Sequence, residues 1–101
     1  MPQVKLSDRT RNDLRGLYHF LSDKDVSTAV RALKAIEIAL LKVEKFPEMY
    51  RYADEESELR ELVIEFGSSG YVALYFWDEI IDVVIVLAVK HQLEDGYGLD
   101  A

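Results

Sequence analysis

Residues 59–97 hold three apolar segments rich in Val, Ile, Leu, Tyr and Phe, separated by two short polar interruptions. Residues of these types fit a pleated, half-buried surface, and the interruptions Gly67-Ser68-Ser69-Gly70 and Asp78-Glu79 carry turn chemistry. The spacing predicts strands at about 60–66, 71–78 and 82–91. Turns this short leave neighbouring strands antiparallel.

The first half of the chain has a different period. Gln3 to Ser7 alternate polar and apolar, as a short strand does, and Ser7 can cap a helix. Leu14, Leu17, Tyr18 and Leu21 recur at helical spacing, so a helix over about 8–21 buries one stripe and leaves Arg9, Arg11, Asn12 and Arg15 outside it. Asp23 or Asp25 caps a second helix over about 26–45, carrying Val26, Ala29, Val30, Leu33, Ile36, Leu40 and Val43. Ile38 and Leu41 widen its apolar stripe, which implies cover on two sides, by the first helix and by the sheet. Phe46-Pro47 ends it, because a residue before proline is pushed out of the helical region. Residues 49–57, with Asp54-Glu55-Glu56, form a polar connection and the expected mobile segment. The order β-α-α-β-β-β places the chain in the α+β class, with a helical hairpin packed on one face of a mainly antiparallel sheet.

At 101 residues the chain suits one domain, over 1–101, with 93–101 expected as a flexible tail. No cysteine is present, which excludes a disulfide framework and thiolate metal sites. The longest apolar runs fall short of the roughly 20 residues a membrane helix needs, and no leader-like segment opens the chain. The expectation is a soluble cytoplasmic protein with no cofactor and no metal.

The formal net charge of −7 conceals an asymmetry. Residues 1–51 carry ten Lys/Arg against seven Asp/Glu, whereas residues 52–101 carry two, Arg60 and Lys90, against twelve. An acidic surface repels nucleic acid and favours partner segments with basic side chains. Simple solubility is the other reading of such charge.

Few constellations suggest catalysis. His19 reads as a surface residue of the first helix; His91 ends the last strand beside Lys90 and Gln92, where a polar group can meet a ligand or partner. Arg60 suits an ion pair with Glu58, Glu61 or an acidic neighbour. Tyr71 and Tyr75 share one face of their strand, with ring packing against the helices as the default. Tyr97, between Gly96 and Gly98, is the aromatic with least claim to burial. Gly67-Ser68-Ser69-Gly70 is a hairpin turn rather than a phosphate loop, since no helix follows it. Glu55-Glu56 and Asp78-Glu79 lack the apolar setting that would raise a carboxylate pKa, and read as solvated turn residues.

The element order, the Phe46-Pro47 stop, the opening Leu59-Arg60-Glu61-Leu62, the strand Gly70-Tyr71-x-x-x-Tyr75 and the closing Val89-Lys90-His91-Gln92 with Tyr97 resemble the ParE/RelE superfamily of bacterial toxins, over nearly the whole chain and closest to the ParE branch. The resemblance implies the toxin of a type II toxin-antitoxin module, neutralised by a ParD-like antitoxin. It implies one of two activities: ParE-like members poison DNA gyrase, and RelE-like members cut messenger RNA in the ribosomal A site.

The ribonucleases of that superfamily place lysines on the strand before the turn, an arginine just after the tyrosine that follows it, and an arginine at the end of the last strand, then a tyrosine. Here those positions hold Val63 and Glu65, Val72 and His91, with Tyr97 retained. Stabilising a dianionic transition state needs positive charge, and losing one such donor costs on the order of 3 kcal/mol. The expectation is a gyrase inhibitor that acts by binding rather than catalysis, with Arg60, Lys90, His91, Gln92 and Tyr97 as target-contact candidates. A ribonuclease using His91 and Tyr97, or a nontoxic antitoxin-binding homologue, are the alternatives. Arg9, Arg11, Arg15 and Arg31 are the candidates for meeting an acidic antitoxin tail.

Overall fold

The computed structural model describes residues 3–92; the expected tail, and Tyr97 with it, lie outside the described residues. Strand β1 spans Gln3–Leu6, helices α1 and α2 span Asp8–Ser22 and Val26–Lys45, and strands β2, β3 and β4 span Arg60–Phe66, Ser69–Asp78 and Val83–His91. The sheet order is β1-β4-β3-β2, with β1 parallel to β4 and the other pairs antiparallel. This is the expected α+β order.

Both helices start where a side chain can satisfy an orphan amide. Ser7 Oγ accepts from the Thr10 amide at 3.0 Å, and Asp25 Oδ1 accepts from the Ser27 amide at 3.2 Å. Of the two predicted caps for α2, Asp25 is the one used. The core is formed by Ile36 and Val43 of α2 against Leu62, Tyr75, Val84 and Val86 of the sheet, with Leu14, Leu17 and Leu21 of α1 closing one side. The doubly covered stripe expected of α2 is not formed. Ile38 and Leu41 are about half exposed, as are Val26 and Val30, because the packed face runs through Ala29, Ala32, Ile36 and Val43 instead.

The first turn is tighter than its sequence suggested, and β3 begins at Ser69 rather than Tyr71. Only Gly67 and Ser68 separate the paired residues Phe66 and Ser69, and Gly67 takes φ 64°, which glycine adopts without a side-chain clash. The second turn places Asp82 at φ 55°, so β4 begins one residue later than expected. Asp78 Oδ1 accepts from the Ile80 amide at 3.0 Å and Trp77 Nε1 donates to Asp82 Oδ1 at 3.1 Å. Asp78 is therefore a turn residue, as expected, and its carboxylate holds the turn.

The connection from α2 to β2 is also more organised than a polar linker. A 3-10 turn at Pro47–Met49 follows α2, Tyr52 bridges to Arg60, and the Glu61 amide donates to Arg51 O at 3.0 Å. Arg60 holds this segment by donating to Tyr50 O at 2.6 Å and Glu48 O at 3.2 Å, and to Tyr52 Oη at 2.9 Å. Its guanidinium also lies 4.1 Å from the Tyr52 ring centroid. The carboxylate partner expected for Arg60 is thus replaced by backbone carbonyls and a tyrosine, because the chain after Pro47 turns those carbonyls toward the start of β2.

A β-bulge in β4 decides which residues reach the sheet's two faces. Leu74 pairs with Ala88 while Tyr75 pairs with Val86, leaving Leu87 as the extra residue. Core-facing positions therefore run Val84, Val86 and then Val89. Beyond the bulge the pleat is inverted, so Lys90 lies opposite Val72 on the outer face and His91 lies opposite Tyr71 on the helix face.

The edge of β4 beyond β1 would expose unpaired backbone groups, and α1 covers it with residues spaced by three. The Ser7 amide donates to Val86 O at 3.0 Å, Ser7 Oγ to Leu87 O at 3.2 Å, and Thr10 Oγ1 to Val86 O at 2.7 Å. Asp13 Oδ2 then accepts from the Val89 amide at 3.0 Å. Thr10 is fully buried for this reason.

Candidate functional site

The end of the sheet where β3 starts and β4 finishes gathers several of the sequence candidates. Ser69 Oγ and His91 Nε2 are 3.0 Å apart, and the Tyr71 and His91 rings meet edge to face with centroids 5.6 Å apart. The Gln92 amide donates to Gly70 O at 2.8 Å. His91 is half-buried rather than projecting into solvent. Ser69 was not singled out from the sequence, since its contact with His91 depends on strand register.

Two faces of this sheet end differ in chemistry. On the outer face, register brings Val63, Val72 and Lys90 into one row across β2, β3 and β4, with Glu65 beside it opposite Gly70. Lys90 is the single cation among these positions. On the helix face, His91 and Tyr71 border a recess of about 640 Å³ against Asp13, Gly16, Leu17 and Phe20 of α1. Lys90 and His91, adjacent in sequence, thus serve opposite faces, and Gln92 is exposed at the margin. Arg60 lies on β2 and is occupied with the 47–52 segment, so it does not join them.

Burial pushes the Tyr71 phenol above its ordinary pKa, and desolvation does the same more strongly to Tyr75. Tyr75 is fully buried and donates to Pro47 O at 2.6 Å. Both rings pack under the helices as expected. Tyr71 and Tyr75 are proton-holding phenols at neutral pH, fit to donate hydrogen bonds.

The four arginine candidates do not converge. Arg9 pairs with Asp13 at 3.1 Å and Arg11 with Asp8 at 3.5 Å. Arg15 donates to Asn12 Oδ1 at 3.1 Å, and Arg31 to Thr28 Oγ1 at 3.2 Å on α2. All four are exposed. Arg9 shares the face of α1 that carries Asn12, Asp13, Gly16 and Phe20, by spacings of three and four, whereas Arg11 faces away from it. His19 is exposed, as expected, with an edge contact to Tyr18. Among the described residues no cluster of His, Asp and Glu could hold a metal ion, and no helix is long and apolar enough to cross a membrane.

A helical hairpin packed on a four-stranded sheet of this order is a RelE-like fold. The crystal structure of the intact RelBE toxin-antitoxin complex of E. coli matches with a TM-score of 0.63 at 18% identity, covering 94% of this chain and 100% of that one. The RelBE2 toxin-antitoxin complex of Mycobacterium tuberculosis matches with a TM-score of 0.58 at 21% identity, covering 91% and 100%. The chain belongs to the family of ParE toxins of type II toxin-antitoxin systems, whose model matches residues 4–96. Toxin RelE3 of Caulobacter vibrioides is 33% identical over 95 residues, spanning 93% of this chain and 98% of that protein.

Proposed function

We propose that this toxin acts by binding and inhibiting DNA gyrase rather than by cutting RNA. The observation that carries this reading is the chemistry of the outer sheet row. Val63, Glu65 and Val72 stand at the positions where the superfamily's ribonucleases are expected to carry cations, and register assembles them on one face, in a row whose positive charge is Lys90. A phosphodiester dianion brought to this face would meet a carboxylate and apolar side chains. His91, which could act as an acid or base, is turned to the opposite face by the bulge at Leu87 and engaged with Ser69. The proton-transfer group and the surface where an RNA backbone would lie are therefore separated. Membership of the ParE family supports gyrase as the target.

The test is a supercoiling assay in which purified protein is added to gyrase and relaxed plasmid. Inhibition at micromolar protein is expected, and its absence overturns the reading. The likeness to RelE3 and the Ser69–His91 contact favour the ribonuclease as a second reading. Cleavage of messenger by programmed ribosomes, lost on His91→Ala, would establish it. For the gyrase inhibitor, messenger stays intact in that assay.

A further inference from the structure

The turn between β3 and β4 carries the most exposed large apolar side chain among the described residues. Ile80 is 95% exposed, and its neighbour Ile81 is 64% exposed. Single apolar residues on a surface are ordinary, but two adjacent ones at a turn, where polar residues shape the chain, are not accounted for by folding. Other groups build this turn. Asp78 Oδ1 accepts from the amides of Ile80 at 3.0 Å and Ile81 at 3.4 Å, Trp77 Nε1 donates to Asp82 Oδ1, and the Gln3 amide donates to Asp82 O at 3.1 Å. Neither isoleucine side chain is needed for that geometry, and Ile80 removes almost no apolar surface from water.

The same hydrogen bonds hold the tip in place before anything binds, so docking the two side chains costs little ordering entropy. Apolar surface extends from the tip onto the outer face of the sheet. Phe76 and Ile85 pair across β3 and β4, alternate with the core residues Tyr75, Val84 and Val86, and are partly exposed. Val63 and Val72 lie further along that face. The surroundings are acidic: Glu79 is exposed beside the tip, Asp78 and Asp82 add two carboxylates, and no Lys or Arg falls between Arg60 and Lys90 in the sequence.

We propose that the Ile80-Ile81 tip is the element by which the toxin contacts its target, its two side chains entering an apolar pocket on gyrase that is bordered by Lys or Arg side chains facing Glu79. The proposal rests on the gyrase reading and adds the contact surface and its chemistry. An enzyme that handles DNA carries basic surface of that kind, and an acidic tip meets it without like-charge repulsion. The tip stands at the far end of β3 and β4 from Ser69 and His91, so the contact is separate from the polar cluster there.

Binding to immobilised gyrase and inhibition of supercoiling test it, with an Ile80→Ser/Ile81→Ser double variant beside a Val26→Ser/Val30→Ser control. The control removes two side chains of α2 that are 55% and 54% exposed; thermal melts check that both variants are folded. The tip variant should lose binding and inhibition by about tenfold or more, as removal of an anchor does, and the control should match the unmodified protein. Glu79→Lys should slow association at low salt; an unchanged or faster rate overturns the basic border. Inhibition by the tip variant equal to that of the unmodified protein overturns the tip contact and leaves the gyrase reading standing. An equal loss in the control also overturns it, since any exposed apolar pair would then serve. Absence of both binding and inhibition by the unmodified protein overturns the gyrase reading and the tip contact with it.

Discussion

Tyr75 shows how one side chain ties two parts of the molecule together. Its ring fills the core and its hydroxyl donates to Pro47 O at 2.6 Å, anchoring the chain just after α2. Tyr75→Phe should destabilise the protein by about 1–3 kcal/mol in urea unfolding, since a buried acceptor is left unsatisfied. The pH dependence has a definite sign. Desolvation raises the folded-state pKa of Tyr75 above its ordinary value near 10, so the folded state binds the proton more tightly than the unfolded state does. The associated stability is fully present below about pH 10 and is lost as pH rises beyond it. Unfolding followed against pH should show a steeper alkaline loss for the unmodified protein than for Tyr75→Phe. Gly16 gives the opposite kind of change: Gly16→Ala should raise stability by about 1 kcal/mol in thermal or urea melts, because the methyl enters open space. A fall in stability would mean that α1 is packed more closely at Gly16 than described.

Strand β4 is where an element's irregularity does more than its composition. Strict alternation along Val83–His91 would put Lys90 on the face of Val84 and Val86 and His91 on the other. The extra residue at Leu87 exchanges them. Deleting Leu87 should therefore regularise the ladder and leave Lys90 outside and His91 on the helix face, whereas adding one residue between Val89 and Lys90 should bring the lysine to the helix face and lower the melting temperature. An unchanged melting temperature in the insertion variant would show that the strand end can slip without penalty. The α2–β2 connection depends on one side chain in a similar way, as Arg60 donates to the carbonyls of Glu48 and Tyr50. Hydrogen exchange of the amides in 47–53 should accelerate in Arg60→Ala while exchange in β3 stays slow. Uniform acceleration would indicate global destabilisation instead.

Across the molecule, charge is segregated between an acidic half and a hairpin that carries most of the cations. Rim charges of this kind act mainly on encounter. Arg9→Ala and Arg15→Ala should slow association with the antitoxin at low salt and leave dissociation nearly unchanged. The difference should vanish near 1 M salt, where the screening length is about 3 Å; stopped-flow mixing at two salt concentrations measures this. The charge asymmetry was visible in the residues, as were the cap Ser7, the Asp23 or Asp25 choice for the second cap, the Phe46-Pro47 stop, the two turns and the element order. These are local features, set by residues within a few positions of one another. Sequence spacing did not reveal the parallel β1–β4 pairing, the bulge at Leu87, the meeting of Ser69 with His91 or the recruitment of Arg60 by carbonyls. Thr10 likewise looked like an ordinary helix residue, and its burial follows from the free edge of β4 that it covers. The sequence alone was enough for the period, ends and chirality-independent order of each element, because hydrophobic spacing and capping act along the chain. Which face each site residue occupies was left to tertiary structure, since one unpaired residue inverts every later side chain of a strand and only pairing with β3 determines where that residue sits.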